Sequence, residues 1–297
     1  MEKLPKVVAV VGTNASGKSA LGIELAKAFH GEIISADSRQ VFRGLDLGSG
    51  KVTPEEMQGV VHHMIDVREP NEFFSMADFQ KLSYAAIEEI RSRGRLPMIV
   101  GGTGLYVDSV LDGYLLSDKE PDLAYRAELE KLTTPQLYDM LMQLMPEAQV
   151  ERNNRNRVMR MIERIHDGDD AVPGKKKRYE SLRLGVSWPR DVLGKRIDER
   201  LERRLEQGMI EEVQGLMERG ATTEFLLGLG LEYRFITQYL LGEMGKAEML
   251  EKLAIAIKQF AKRQMTWFRR NPDIVWLDMS GDYMAQACEA VESFLKD

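Results

Sequence analysis

Eight consecutive residues near the start limit the fold of this chain more than anything else in it. Gly12-Thr13-Asn14-Ala15-Ser16-Gly17-Lys18-Ser19 fits the pattern G-x-x-x-x-G-K-[ST] at every required position. The apolar run at 7–11 reads as a buried strand, and 18–29 reads as a helix with Leu21, Leu25 and Ala28 on one stripe. A glycine-rich loop between such elements turns its backbone N–H groups, and the positive end of the helix, towards a bound phosphate. Lys18 then supplies a point charge for the terminal phosphate, and the Ser19 hydroxyl is a ligand for Mg²⁺.

The surrounding pattern is that of a parallel α/β sheet flanked by helices. Further strands are expected at 32–36, 96–100, 182–187 and 274–277, with a helix at 77–93. The early strands end in polar or glycine-rich turns, Gly12-Thr13-Asn14, Asp37-Ser38 and Gly101-Gly102-Thr103. Ligands of open α/β sheets bind outside the carboxyl ends of the strands, so these turns are expected to meet at one site. After about Leu116 the pattern becomes helical without strands. Thr133-Thr134-Pro135 starts one helix, and 150–166 forms another with Val158, Met161, Ile162 and Ile165 on one face. Residues 167–177, with Gly168, Pro173, Gly174 and three lysines, read as a loop. The expected organisation is a discontinuous P-loop core, 1–116 and 182–297, around a small helical insertion, 117–181. In the second half of the core, Ile197, Leu201 and Leu205 mark one helix, Leu250, Leu253, Ile257, Ala261 and Phe268 mark another, and 284–295 is a last amphipathic helix.

One cysteine and four histidines leave no internal disulfide and no Cys/His zinc set. Cys288 falls on an apolar helix face, where a core role outweighs a nucleophilic one. There is no signal-peptide pattern and no apolar run of membrane-spanning length, so a cytoplasmic protein is expected. A net charge of −6 argues mildly against a nucleic-acid partner, yet residues 151–204 carry 16 Lys/Arg against 10 Asp/Glu. That segment suits either a polyanion footprint or solvated helix faces laced with charge pairs. The adjacent His62 and His63 would point to opposite faces of a strand and cannot readily share a metal.

A P-loop says that phosphates bind, not what happens to them. Asp37, at the end of the 32–36 strand, is the nearest candidate for a metal-holding aspartate; it is equally a free carboxylate beside the phosphate site or the cap of the next turn. The strand ending at Val100 runs instead into Gly101-Gly102-Thr103-Gly104, which adds a hydroxyl.

Taken in order, several blocks resemble those of the tRNA dimethylallyltransferase (IPP transferase) family: Gly12 to Ser19, Ile34-Ser35-Ala36-Asp37-Ser38-Arg39-Gln40-Val41-Phe42, His62-His63-Met64-Ile65-Asp66 and Val100-Gly101-Gly102-Thr103-Gly104-Leu105-Tyr106. Asn156-Arg157-Val158-Met159-Arg160, Arg196-Ile197-Asp198-Glu199-Arg200 and Ala261-Lys262-Arg263-Gln264-Met265-Thr266-Trp267-Phe268-Arg269 resemble its later blocks. Thr13-Asn14 stands where Pro-Thr is usual, and Gly228-Leu229-Gly230-Leu231-Glu232-Tyr233 only loosely resembles the usual Gly-Tyr-Lys/Arg-Glu block.

The resemblance implies a prenyl transfer from dimethylallyl diphosphate, held by the P-loop and Mg²⁺, to the N6 amine of the adenosine 3′-adjacent to the tRNA anticodon. It implies Asp37 as proton acceptor and Thr103 as a hydrogen-bonding partner of the reacting groups. Arg196 and Arg200 either join the diphosphate clamp or pair with Glu199 and Glu202 on a helix surface. Contacts to the tRNA anticodon arm are implied for Asp37, Ser38, Arg39, Gln40, Thr103, Arg126, Asn156, Arg157, Val158, Met159 and Arg160. Lys262, Arg263, Trp267 and Arg269 are added by helical spacing, with Lys258 and Arg270 beside them; Trp267 suits core packing as well as base stacking. The insertion arginines suit phosphates or pairing with Glu151 and Glu163. A monomer is expected. The rivals are a transferase acting on free adenine nucleotides, a small-molecule P-loop kinase and a non-catalytic RNA-binding P-loop protein.

Overall fold

The computed structural model describes residues 3–116, 122–168 and 174–296. In chain order its elements are β1 (Lys6–Gly12), α1 (Lys18–Ala28), β2 (Gly31–Ala36), α2 (Pro54–Met57), β3 (His62–His63), α3 (Met76–Ser92), β4 (Leu96–Gly101) and α4 (Gly104–Leu111). Next come α5 (Leu123–Glu130), α6 (Thr134–Leu144) and α7 (Arg155–His166). The chain then forms β5 (Glu180–Ser187), α8 (Arg190–Glu206), α9 (Met209–Glu218), α10 (Thr223–Leu229), α11 (Leu231–Leu240), α12 (Lys246–Phe268), β6 (Ile274–Asp278) and α13 (Tyr283–Lys296). No described helix is long and apolar enough to cross a membrane.

The strands form one sheet in the order β3-β2-β4-β1-β5-β6, and every pairing is parallel. Both faces are buried, as parallel sheets require. Along β1 alternate residues part company: Val7, Ala9 and Val11 join Phe79, Ile87 and Val107 of α3 and α4, while Val8 and Val10 join Leu21 and Leu25 of α1 and Val291 of α13. Cys288 packs at the edge of that second core, and burial, followed by Glu292, raises its thiol pKa. A third core gathers the helices α8 to α12 on Val41, Phe42 and Leu45 of the chain after β2.

The chain divides into two units, Met1–Gly113 with Lys177–Asp297, and Tyr114–Lys176. The division falls at 114 and 176 where the sequence pattern suggested 117 and 181, because residues 180–181 already belong to β5. The smaller unit has its own core of Leu129, Leu137, Leu141, Val158, Met159 and Ile162. Its helix α6 starts as expected, with Pro135 in the first turn and the Thr133 N–H donating to Gln136 Oε1 at 2.8 Å. Residues 169–173 of the expected lysine-rich loop lie outside the described residues.

Gly101 tests the fold most locally. A Cβ built there would lie 2.1 Å from the Ala36 carbonyl oxygen, a backbone atom that cannot rotate away. Gly101→Ala is therefore expected to cost about 1–3 kcal/mol, lowering the melting temperature by roughly 2–4 °C per kcal/mol. Gly194→Ala, within helix α8 and with open space around its Cβ, is expected to leave that temperature unchanged or raise it. Thermal melts of both variants check the contrast; equal behaviour would contradict it.

Candidate active site

The loop after β1 closes tightly on itself. Gly17 takes φ +91°, a left-handed conformation that costs glycine little, and so turns the chain into α1. The Ser16 hydroxyl donates to the Thr13 carbonyl at 2.7 Å, Lys18 Nζ donates to the same oxygen at 3.1 Å, and the Thr13 hydroxyl donates to the Asn14 carbonyl at 3.1 Å. Arg196 buttresses the loop, its Nε donating to the Ala15 carbonyl at 3.0 Å and its guanidinium stacked on Trp188 at 4.6 Å. Trp188 Nε1 in turn donates to the Ser16 carbonyl at 2.9 Å. Arg200, one turn further along α8, donates to the Gly50 carbonyl at 3.2 Å. Among the described residues neither arginine pairs with Glu199 or Glu202, so the surface ion-pair alternative falls away.

The turns after β2 and β4 meet beside this loop. Asp37 Oδ1 accepts from the N–H groups of Arg39 at 2.9 Å and Gln40 at 3.4 Å, which makes it the cap of its turn. Oδ2 has no such partner among the described residues, so one carboxylate oxygen caps and the other is left to accept. The Thr103 hydroxyl oxygen accepts from the Ser38 N–H at 3.2 Å, tying the two turns together and leaving its own proton to donate. A third tie comes from α12: the buried Gln264 accepts from the Asn14 N–H at 2.9 Å and donates to the Gly102 carbonyl at 3.0 Å.

Between these loops and helices α8, α11 and α12 lies a chamber with mixed walls. Ile33, Val100, Ile197, Leu201, Ile257 and Phe260 form its apolar part. Lys18, Arg39, Arg200 and Arg204 face Asp37 and Glu232 within it, four cations against two carboxylates. A second cavity, which shares Lys18 and Arg200 with the chamber, is lined by the loop from Ala15 to Ala20 together with Arg196 and Arg203. Burial, and then the neighbouring Arg200, pull the Lys18 pKa down to about 8, although Asp37 opposes the shift. Burial followed by Arg204 likewise lowers Arg200. This is the electrostatic signature of a site prepared for an anion.

A model described as IPP transferase matches residues 40–271. A curated relative from Shewanella sediminis, tRNA dimethylallyltransferase 2, is 46% identical over 96% of this chain and 97% of its own length. The crystal structure of a tRNA isopentenylpyrophosphate transferase from Bacillus halodurans superposes with a TM-score of 0.75 at 38% identity, over 98% of each chain. That of a eukaryotic dimethylallyltransferase acting on tRNA superposes with a TM-score of 0.81 at 26% identity, over 97% of this chain and 79% of the other. This chain belongs to the IPP transferase family.

Several residues expected to touch RNA from this IPP transferase's family blocks have other duties. Val158 and Met159 are buried in the core of the smaller unit, 0% and 4% exposed, so their side chains present no surface. Arg126 and Arg160 both reach the buried Glu163, at 3.3 and 3.2 Å. Asn156 and Arg157 are exposed, as are Lys262, Arg263 and Arg269 on and just after α12. Lys258, expected beside them, is paired with Asp198 at 2.7 Å. Arg39 is half-buried and paired with Glu232 at 2.7 Å, and Gln40 binds the Ser35 hydroxyl and the Gly50 carbonyl. Trp267 packs over Gly104 and donates from Nε1 to Asp108 at 2.8 Å, while Arg270 stacks on its ring at 4.7 Å. His63 bonds to Glu32, as expected of a structural residue. His62 instead lines the chamber, a role the sequence did not suggest, and burial lowers its pKa. Glu232, Arg204 and Gln264 were likewise missed as site residues, since each acts through contacts distant in sequence.

The Lys18 shift has a measurable sign. The lysine charge that attracts a diphosphate is lost as pH rises through about 8 in the unliganded protein. Binding of inorganic pyrophosphate above that pH therefore takes up a proton, and affinity is expected to fall by a factor approaching about tenfold per pH unit. Lys18→Arg should remove this dependence. Calorimetric titration from roughly pH 7 to pH 9.5 checks it; constant wild-type affinity would contradict the assignment.

Proposed function

We propose that this chain transfers the dimethylallyl group of dimethylallyl diphosphate to the N6 amine of the adenosine 3′-adjacent to a tRNA anticodon, releasing diphosphate. The observation that carries the reading is the free Oδ2 of Asp37, lining a partly apolar chamber with the P-loop lysine, and the Thr103 hydroxyl bonded to the turn that Asp37 caps. The donor's C–O bond breaks as its carbon bonds to N6, the amine proton passes to Asp37, and the diphosphate leaves with the bridging electron pair. Adenine's amine is a weak nucleophile because its lone pair is delocalised, so a positioned base matters. Lys18 and Arg200 stabilise the charge growing on the diphosphate, and the apolar wall suits the prenyl chain. Thr103 orients the amine or the bridging oxygen.

The residues fit Mg²⁺ as well. Ser19 offers a hydroxyl at the end of the phosphate loop, the one side-chain ligand that a P-loop metal site takes from the loop. That suits an ion that takes few protein ligands and completes its shell with phosphate oxygens and water. Bound there, it would further neutralise the leaving group.

The acceptor is proposed to be the anticodon arm, because the target base must be drawn from its stack at a cost of about a few kcal/mol, which other RNA contacts must offset. The exposed Asn156, Arg157, Lys262, Arg263 and Arg269 supply candidate contacts. A free nucleotide would need none of them. The enzyme is proposed to act as a monomer in the cytoplasm.

Asp37→Asn keeps the turn but removes the proton acceptor; single-turnover prenylation is expected to fall by about 100-fold or more while donor affinity changes little. Normal turnover would reduce Asp37 to a turn cap. Arg157→Ala is expected to raise KM for tRNA and to reduce the slope of log affinity against log salt by about one, with donor affinity unchanged. An unchanged slope would remove Arg157 from the RNA contacts.

A further inference from the structure

The usefulness of Asp37 as a proton acceptor depends on where its second oxygen points, and Arg39 has a hold on that direction. The Arg39 backbone N–H caps Asp37 Oδ1 at 2.9 Å. Its side chain is only 14% exposed and is held inward: Nη1 donates to Glu232 Oε2 at 2.7 Å, and the guanidinium lies 5.7 Å from the Phe260 ring. On its other oxygen Glu232 accepts from Arg204 Nη1, on α8, at 3.1 Å. A continuous chain of contacts thus runs from α8 through the first turn of α11 to the end of β2.

This arrangement is costly by the usual standards of stability. Glu232 is 5% exposed, and its burial alone would favour the neutral acid; Arg204 and then Arg39 outweigh that effect and hold its pKa below the ordinary carboxylate range. Arg204 leaves Nε and Nη2 buried without hydrogen-bond partners among the described residues. Leu231, immediately before Glu232, sits at φ +44°, a conformation rarely taken by residues other than glycine. A buried ion triad is seldom the most stable way to fill such a space, because apolar side chains of similar volume usually serve as well or better. Strained backbone and unpaired donors concentrated next to a reacting group point to function.

We propose that Glu232 is a positioning residue: through Arg39 it fixes the turn that aims Asp37 at the amine, and Arg204 holds the Glu232 carboxylate in place. The proposal rests on the reading of Asp37 as proton acceptor. It gives Arg39 a role other than the RNA contact that the family resemblance implies.

Glu232→Gln keeps the shape and removes the charge. With saturating tRNA and donor, its single-turnover rate is expected to fall by about tenfold to 100-fold, the cost of a misplacement on the order of 1 Å, with KM for tRNA and donor affinity within about threefold of wild type. Because both residues act through the same carboxylate, the Asp37→Asn/Glu232→Gln double variant should be no slower than Asp37→Asn alone. Glu232→Asp, which retains the charge, should recover part of the loss. A Glu232→Gln rate equal to wild type, a loss that follows donor affinity instead of rate, or a double variant slower by the product of the two single effects would overturn the proposal. If Glu232→Gln does not fold, Arg204→Gln leaves the Arg39 pair intact and should still lower the rate several-fold at unchanged KM; no change would be equally fatal. Failure of the functional reading is separable: then wild type does not prenylate tRNA or Asp37→Asn matches wild type, and the positioning role falls with it, whereas an impaired Asp37→Asn beside a normal Glu232→Gln rejects the positioning role alone.

Discussion

Backbone pairing at Gly101 sets the height at which three loops leave the sheet. This residue is in register with Val11 of β1 on one side and Ala36 of β2 on the other, so the chain exits all three strands at one level. The absence of a side chain lets β4 lie against the Ala36 carbonyl. From this common level the phosphate loop, the Asp37 turn and the Thr103 turn are near enough to bond to one another. Gln264 completes the frame by joining Asn14 to Gly102 from α12. Phosphate site, carboxylate and hydroxyl therefore form one rigid group, the condition under which small displacements matter to rate.

Electrostatics act on that frame in two ways. Arg39, Glu232 and Arg204 satisfy much of one another's charge, with two arginines sharing one carboxylate. Lys18 and Arg200 have no such carboxylate within ion-pair distance among the described residues, and burial lowers the pKa of both. The diphosphate of the proposed donor would supply the missing charge. A partly apolar wall lies in the same chamber, the combination that the proposed prenyl diphosphate donor would need.

Much of the core was legible because its signals are local. The strand runs ended within two residues of their observed limits, since continuous apolar stretches bounded by turns have few other solutions in a parallel sheet. Strand β3 was read only as the local geometry of His62 and His63 and not as a member of the sheet, because two residues have neither length nor alternation. Helices α9 to α11 went unresolved between two stronger apolar stripes. At the site, the P-loop and the Asp37 and Thr103 turns could be read because glycines and caps mark them in sequence. Glu232 and Gln264 could not, because their partners lie 193 and 28 residues away for Glu232, and 250 and 162 residues away for Gln264. Val158 and Met159 erred in the opposite direction: a family block names consecutive residues without regard to face, whereas the inward stripe of α7 takes Val158, Met159 and, one turn on, Ile162 and Glu163, and Val158 already lay on the apolar face.

The most direct test is to incubate the purified protein with unmodified tRNA, adenosine monophosphate and dimethylallyl diphosphate labelled in the prenyl carbons, digest the RNA to nucleosides and locate the label. The proposed reaction predicts label on N6 of a single adenosine, at the position 3′ to the anticodon, with diphosphate released in equal amount. Label accumulating on free adenosine monophosphate, label at scattered positions in tRNA, or no transfer at all would contradict it.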